Sequence, residues 1–444
     1  MDAPDATHTR RLRPSDWLLF GGMVLVAASR LAAVQALGDP ASDPDGYVSL
    51  AANLKQTGVF APLGGGGPTA FRPPLYPAAG ALNAAATSPR GAAERIAVAH
   101  RSLIGVNALA ALATFLLAWL AARTLGFAWP AVAAVAVLVA GSPLAIAYAA
   151  QPMTEVFCGG LLAAAVLLAV WMDHAPGPKT AAAFGLTAGL ACLCRPTCFV
   201  PAAGWGVWLL WRAWRREGRP VPWAAFAIAA VVGLATLAPW AVWNYRVFRR
   251  PIVTTTHGGY TLLLGNNDAF YDQVVRQPWG TVWSGEQLAA WSDGLQAEMA
   301  AAGVEGELAR DAYQKAKAVE TIRRRPGDFV RACVLRVARF WNVVPQGPAA
   351  DRLPRVAYYA VGLFYAGAWA LAAVGVVAAW RGRMGAMVAV AIPAVAFTAV
   401  HAVYWSNARM RLPVEPCVFL FAGLGAEAVR GWTLRGQRRK ASEG

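Results

Sequence analysis

Apolar runs of about 20 residues recur along the whole chain, and no other feature constrains its fold as strongly. About 20 apolar residues in a helix cover the roughly 30 Å hydrocarbon core of a bilayer. The runs read as Trp17–Leu37, Arg101–Ala122, Trp129–Tyr148, Glu155–Met172, Ala181–Leu193, Thr197–Trp211, Trp223–Trp243, Val356–Trp380, Gly385–Trp405 and Pro413–Val429. With 57% of its 444 residues hydrophobic and 14% charged, the chain is expected to be an all-α polytopic membrane protein of about ten transmembrane helices. The fifth and sixth runs are short and flank Arg195-Pro196, as a hairpin turning there or as a re-entrant dip. Trp17–Leu37 is too long for the core of a cleavable signal and reads as a retained first span.

Charge sets the orientation. The formal net charge is +16, but the basic residues cluster where positive-inside loops belong. Arg10, Arg11 and Arg13 precede the first span, and Arg212, Arg215, Arg216 and Arg219 share one loop. Arg381 and Arg383 lie in another, and Arg435, Arg438, Arg439 and Lys440 in the tail. Such clusters predict both termini in the cytoplasm of a plasma (inner) membrane. No basic stripe accompanies an aromatic-bearing soluble module, so no nucleic-acid partner is expected. The six cysteines lie mostly in apolar runs and lack a zinc-like set.

The expected organisation is an N-terminal transmembrane module (1–243) with a first outer loop (38–100), an outer lobe (244–355), and C-terminal helices with a basic tail (356–444). The loop carries candidate short helices over Tyr47–Gln56 and Pro73–Ala86, separated by the turn Gly64-Gly65-Gly66-Gly67-Pro68. In the lobe, Glu286–Met299 and Glu307–Arg325 read as helices, and a third opens at Asp328. Its Phe329, Cys333, Val337 and Trp341 recur at helical spacing, with Arg331, Arg336 and Arg339 elsewhere on it, as for a helix lying on the outer membrane face.

Several polar residues stand at the outer ends of these runs. Asp43 and Asp45 in Ser-Asp-Pro-Asp-Gly-Tyr suit a general base or a divalent-cation pair, or else an Asx turn capping a helix at Tyr47. Arg72, fixed by Pro73-Pro74, suits a phosphate gripped by guanidinium, or else snorkels to headgroups. Glu155 opens the fourth run, as a site acid or as a favourable charge at a helix N-terminus. His257 lies in Thr-Thr-Thr-His-Gly-Gly, followed by Gly265-Asn266-Asn267, and both are outward polar segments suited to ligand approach. Arg409 and Arg411 precede the last run on its outer side, against the positive-inside rule, which favours an anionic ligand or an ion pair with a loop carboxylate.

In this order the motifs resemble the GT-C superfamily of glycosyltransferases, near the aminoarabinose transferase and the protein O-mannosyltransferases. They are Asp-Gly-Tyr, Arg-Pro-Pro-Leu-Tyr-Pro (Arg72 to Pro77), Thr154-Glu155, Arg195-Pro196, Pro239-Trp240 with Trp243-Asn244-Tyr245, the His257 and Asn266 loop, and Arg-Met-Arg-Leu-Pro. The resemblance implies sugar transfer from a polyprenyl-phosphate donor to a lipid, glycan or protein acceptor on the extracytoplasmic face. It implies Asp45 and Glu155 as catalytic acidic residues, with Asp43, Tyr47, Arg72, Tyr76, His257, Asn266, Arg409 and Arg411 around the substrate. In the aminoarabinose branch an acid before the basic residue helps to bind metal; Phe71 stands there in this chain, so no metal is predicted. The Ala-, Gly- and Arg-rich composition fits a bacterial carrier, undecaprenyl phosphate.

Two other classes compete. A transporter or flippase leaves the outer lobe without a role and calls for charges within the spans, which here read as nearly free of them. A polysaccharide ligase or polymerase would place its functional arginines in a large outer loop.

Overall fold

Helices make up the regular structure of the chain, because backbone groups in hydrocarbon must find partners within their own segment. The computed structural model describes residues 14–84, 91–215, 222–351, 353–382 and 384–443. Arg10, Arg11, Arg13, Arg216, Arg219, Arg383 and the end of the 73–86 run lie outside the described residues, and the 435–440 cluster is described by its backbone alone. The helices are α1 (Pro14–Leu37), α2 (Tyr47–Thr57), α3 (Leu75–Asn83), α4 (Ala92–Thr124), α5 (Trp129–Gly141), α6 (Pro143–Ala149), α7 (Thr154–His174), α8 (Pro178–Cys194), α9 (Phe199–Trp214) and α10 (Trp223–Phe248). There follow α11 (Gly258–Gly265), α12 (Asp268–Phe270), α13 (Glu286–Ala301), α14 (Glu307–Arg324), α15 (Pro326–Phe340), α16 (Pro348–Asp351), α17 (Arg355–Trp380), α18 (Met384–Val403) and α19 (Glu415–Glu443). Among the described residues there is no strand.

Among the described residues seven segments are long and apolar enough to cross a membrane: Trp17–Leu37, Ala92–Thr124, Trp129–Ala149, Thr154–His174, Trp223–Phe248, Arg355–Trp380 and Ala408–Leu434. The other expected runs form the shorter α8 and α9 and the Met387–Val403 stretch of α18. Large apolar side chains such as Phe20, Leu31, Leu234 and Leu363 stay exposed on outward faces, where lipid rather than water is the compatible solvent. The protein is an all-α polytopic membrane protein.

Inside, α4 packs on α7, α7 on α8 and α8 on α10, while α5 and α17 pack on α19. The α17–α19 seam depends on glycine: a Cβ at Gly375 would run into the Phe421 carbonyl, and one at Gly425 into that of Leu371. Small residues let helix backbones touch where no hydrophobic force between helices is available. Gly425→Val is therefore expected to separate the two helices and lower the melting temperature of the detergent-solubilised protein. An unchanged melting curve would remove Gly425 from the packing.

The expected third span is broken, and the break explains charges that the sequence left unforeseen. Ser142 ends α5 and caps α6, accepting from Ala145 N–H at 3.2 Å. The last α5 carbonyls, Val139 and Ala140, then lack helical partners, and the Arg30 guanidinium of α1 donates to both. The Ser142 hydroxyl donates to Glu415 at 2.6 Å, and Arg411 donates to the same carboxylate at 3.1 Å. The spans are thus not free of charge: Arg30 and Glu415 are buried in the bundle, each with partners.

Between α10 and α17 the chain folds over one end of the bundle, with α11 packed on α14 and α15 on α18. The expected lobe helices are present, but α15 turns a different face inward. The expected apolar face of Phe329, Cys333 and Val337 is half-buried, Arg336 and Arg339, placed elsewhere on the helix, are buried, and Val330 and Val334 are exposed. Arg336 donates to the Ala402 and Gly265 carbonyls and Arg339 to that of Thr281, tying the lobe to α18. Bidentate bonds from Arg276 to Asp328 (3.1 and 2.8 Å), with Arg325 at 2.8 Å, hold the Asp328 carboxyl below the usual carboxylate range.

Candidate active site

The turn at Ser42 to Tyr47 separates its two aspartates by function. Asp43 folds back over the start of α2 and accepts from the Val48 and Ser49 N–H groups at 3.0 and 2.9 Å, so it caps the helix. Gly46, at φ 78°, supplies the left-handed step that reverses the chain. Asp45, on the other side of that turn, reaches the loop before α3. Arg72 meets it, with Nη2 3.1 Å from Oδ1, and its guanidinium lies over the Tyr47 and Phe71 rings at 5.6 and 5.3 Å. The same guanidinium presents Nη1 to His257 Nε2 at 3.4 Å. A guanidinium only donates, so Nε2 is the acceptor and the ring is neutral.

From Asp45 the network runs into the bundle. Arg409 places Nη1 3.4 Å from Asp45 Oδ2 and Nε 3.3 Å from Glu155 Oε1. Arg195 donates to Glu155 Oε1 and to Thr154 Oγ1, both at 2.9 Å. Two carboxylates and three guanidiniums thus alternate from Arg72 to Arg195, leaving one positive charge in excess. The outer end is open, with Arg72 and Asp45 side chains 20% and 21% exposed, and the inner end is closed, with Glu155 at 1%. Glu155 Oε2 has no hydrogen bond among the described residues. Such an arrangement can receive an anion at its mouth and hold its guanidiniums rigid from behind.

The sequence-selected residues divide accordingly. Asp45, Arg72, Glu155, His257 and Arg409 come together, with Tyr47 beneath Arg72. Tyr76 is buried against Tyr47, ring centroids 5.4 Å apart, and its hydroxyl points to the Leu103 carbonyl at 3.4 Å. Asn266 is buried and donates to the Leu262 and Val403 carbonyls at 2.8 and 2.9 Å, joining lobe to α18. Arg411 is buried in its pair with Glu415 and lies 4.2 Å from the Tyr365 ring centroid. Asp43, Tyr76, Asn266 and Arg411 therefore act as cap, support and ties. Arg195, read as the join between two short runs and as part of the Arg195-Pro196 motif but not as a site residue, is the member missed; the need of the buried Glu155 for a cation could have pointed to it.

Burial, and then Arg72, push the half-buried His257 ring down to about 3. Its folded value lies below the ordinary histidine value of about 6.5, so its contribution to stability is present above that pH. It is lost as pH falls toward 3. In melting curves taken between pH 7 and pH 4, His257→Gln is expected to lose less stability than the wild type. Equal losses would show that the ring does not titrate in this way.

Among the described residues no group of three or more His, Cys, Asp or Glu side chains comes together that could hold a metal ion. Arg72 stands between Asp45 and His257, and Phe71 packs edge-on against His257 at 4.6 Å. No metal ligand is assigned.

Neither a protein-family model nor a curated protein matches the chain. Solved structures do. The Archaeoglobus fulgidus oligosaccharyltransferase, tethered to an acceptor peptide containing the NVT sequon, aligns at 16% identity and TM-score 0.53, over 93% of this chain and 49% of that one. The oligosaccharyltransferase AglB from Archaeoglobus fulgidus, in complex with an inhibitory peptide and a dolichol-phosphate, aligns at 16% and 0.53, over 97% and 52%. The chain has the GT-C fold. It spans about half the length of those oligosaccharyltransferases. ArnT from Cupriavidus metallidurans bound to undecaprenyl phosphate aligns at 13% identity and TM-score 0.41, over 93% of this chain and 78% of that one.

Proposed function

We propose that this GT-C chain is a glycosyltransferase that moves a sugar from a polyprenyl-phosphate donor to a lipid, glycan or protein acceptor at the extracytoplasmic membrane face. The observation that carries this is Asp45 held between Arg72 and Arg409 at the mouth of an ion-pair chain that closes inward on the buried Glu155. A GT-C neighbour holding a dolichol-phosphate supports the donor class. Arg72 and Arg409 grip the phosphate, whose oxygens suit two guanidiniums better than one carboxylate does. As they turn to it, Asp45 is released to take the proton of the acceptor hydroxyl or amine. The acceptor oxygen or nitrogen then bonds the anomeric carbon, the carbon–oxygen bond to phosphate breaks, and polyprenyl phosphate leaves with its charge on the two arginines. Glu155 and Arg195 stand behind Arg409 and fix its direction.

The test is sugar transfer or release from radiolabelled polyprenyl-phosphate sugars by the purified full chain in detergent. Turnover with one donor class supports the assignment. No turnover with any donor, in protein shown to be folded, would overturn it in favour of a transporter.

A further inference from the structure

Arg72 is flanked on one side by two prolines and on the other by a clamp made by a helix far away in sequence. Glu307, the first residue of α14, receives three donors on one carboxylate. The Thr69 hydroxyl donates to Oε2 at 2.6 Å, and the Ala70 N–H to Oε1 at 2.9 Å. The Thr256 hydroxyl also donates to Oε1. Thr69 Oγ1 in turn accepts from the Phe71 N–H at 3.0 Å. The loops are joined directly as well, since Thr256 N–H donates to the Ala70 carbonyl at 3.0 Å. One turn further along α14, Asp311 accepts from Gly259 N–H at 2.6 Å. Every bond lands within three residues of Arg72 or His257. Thr69 and Thr256 are buried, so their polar groups depend on this carboxylate for partners.

We propose that Glu307 is a positioning residue for phosphate binding: its carboxylate pins the Arg72 loop to the His257 loop and so aims the Arg72 guanidinium at the mouth of the site. This rests on Arg72 gripping the donor phosphate. Pro73-Pro74 stiffens the chain after Arg72, and Glu307 holds the chain before it. The side chain then meets Asp45 and His257 from a backbone fixed at both ends. Displacement of a binding group by about 1 Å can cost up to about 100-fold.

The experiment measures the affinity of the full chain in detergent for undecaprenyl monophosphate across a double-mutant cycle of Glu307→Ala and Arg72→Ala. Glu307→Ala is expected to weaken binding by about 10- to 100-fold, and Glu307→Gln, which keeps an acceptor of the same length, by less. Once Arg72 is replaced, Glu307→Ala should cost little more, because its effect passes through that side chain. Losses that multiply, or unchanged affinity in Glu307→Ala alone, would overturn the clamp while leaving the phosphate assignment standing. Wild-type affinity in Arg72→Ala would overturn both. If Glu307→Ala does not fold, the isosteric Thr69→Val carries the same cycle. Its expected loss is smaller and likewise absorbed by Arg72→Ala, and multiplying losses there would again overturn the clamp.

Discussion

Asp45→Asn is expected to abolish sugar transfer while leaving polyprenyl-phosphate binding intact or tighter. Asparagine keeps the shape of aspartate, and its single amide oxygen can still accept from one of the two guanidiniums that now hold Oδ1 and Oδ2, while its NH2 faces the other and leaves it free for phosphate. It cannot take a proton, and loss of a general base costs about 10²- to 10⁴-fold in rate. Binding should not suffer, because the substitution removes the negative charge that competes with phosphate for the same two guanidiniums. The two effects are read from turnover of a radiolabelled polyprenyl-phosphate sugar and from the dissociation constant for undecaprenyl phosphate. Equal turnover in both proteins would remove Asp45 from the chemistry and leave Glu155 as the other carboxylate of the network. Joint loss of turnover and binding would make Asp45 a structural residue.

The sequence disclosed the bundle because apolar length is a local property. Trp17–Leu37 and Trp223–Phe248 are legible as spans without knowledge of what they pack against. The break at Ser142 was not, although Ser-Pro is a helix-starting pair, because Val139, Ala140 and Leu144 continue the apolar run around it. The candidate site was legible where an ionisable residue stands at an outer end of an apolar run, as Glu155 and Arg409 do, or beside prolines in the first outer loop, as Asp45 and Arg72 do, and the fold brings the four together. The same signal marked Arg411, two residues beyond Arg409. Its partner is Glu415, one turn on, and only tertiary packing decides which of two neighbouring arginines faces the site. Asp43 and Asp45 show the opposite limit. The helix cap offered as one reading of the pair falls to Asp43 alone, while Asp45 is held by Arg72 and Arg409; the direction of the turn assigns these places, and Gly46 sets that direction. Glu307 gave no local sign at all. It begins an ordinary amphipathic helix, and its reach to Thr69 and Thr256 exists only in the folded chain.

The inner end of the network is where stability and function should separate most clearly. Glu155→Leu removes the carboxylate that Arg195 and Arg409 share, at a position 1% exposed. Arg409 keeps Asp45. Arg195 keeps the Thr154 hydroxyl and a contact with Met410 sulfur, but no charged partner among the described residues. An uncompensated buried cation of this kind typically costs about 3–5 kcal/mol, whereas an apolar pair of similar volume is close to neutral. Glu155→Leu is therefore expected to melt well below wild type in detergent, and adding Arg195→Met should recover most of that loss. Sugar transfer should stay low in the double variant, because Arg409 lacks the carboxylate beside its Nε and its grip on phosphate is no longer directed. Recovery of melting temperature and turnover together would make Glu155 a partner for Arg195 alone. Failure of Arg195→Met to restore stability would show that Glu155 stabilises the bundle through Arg409 and Asp45 instead.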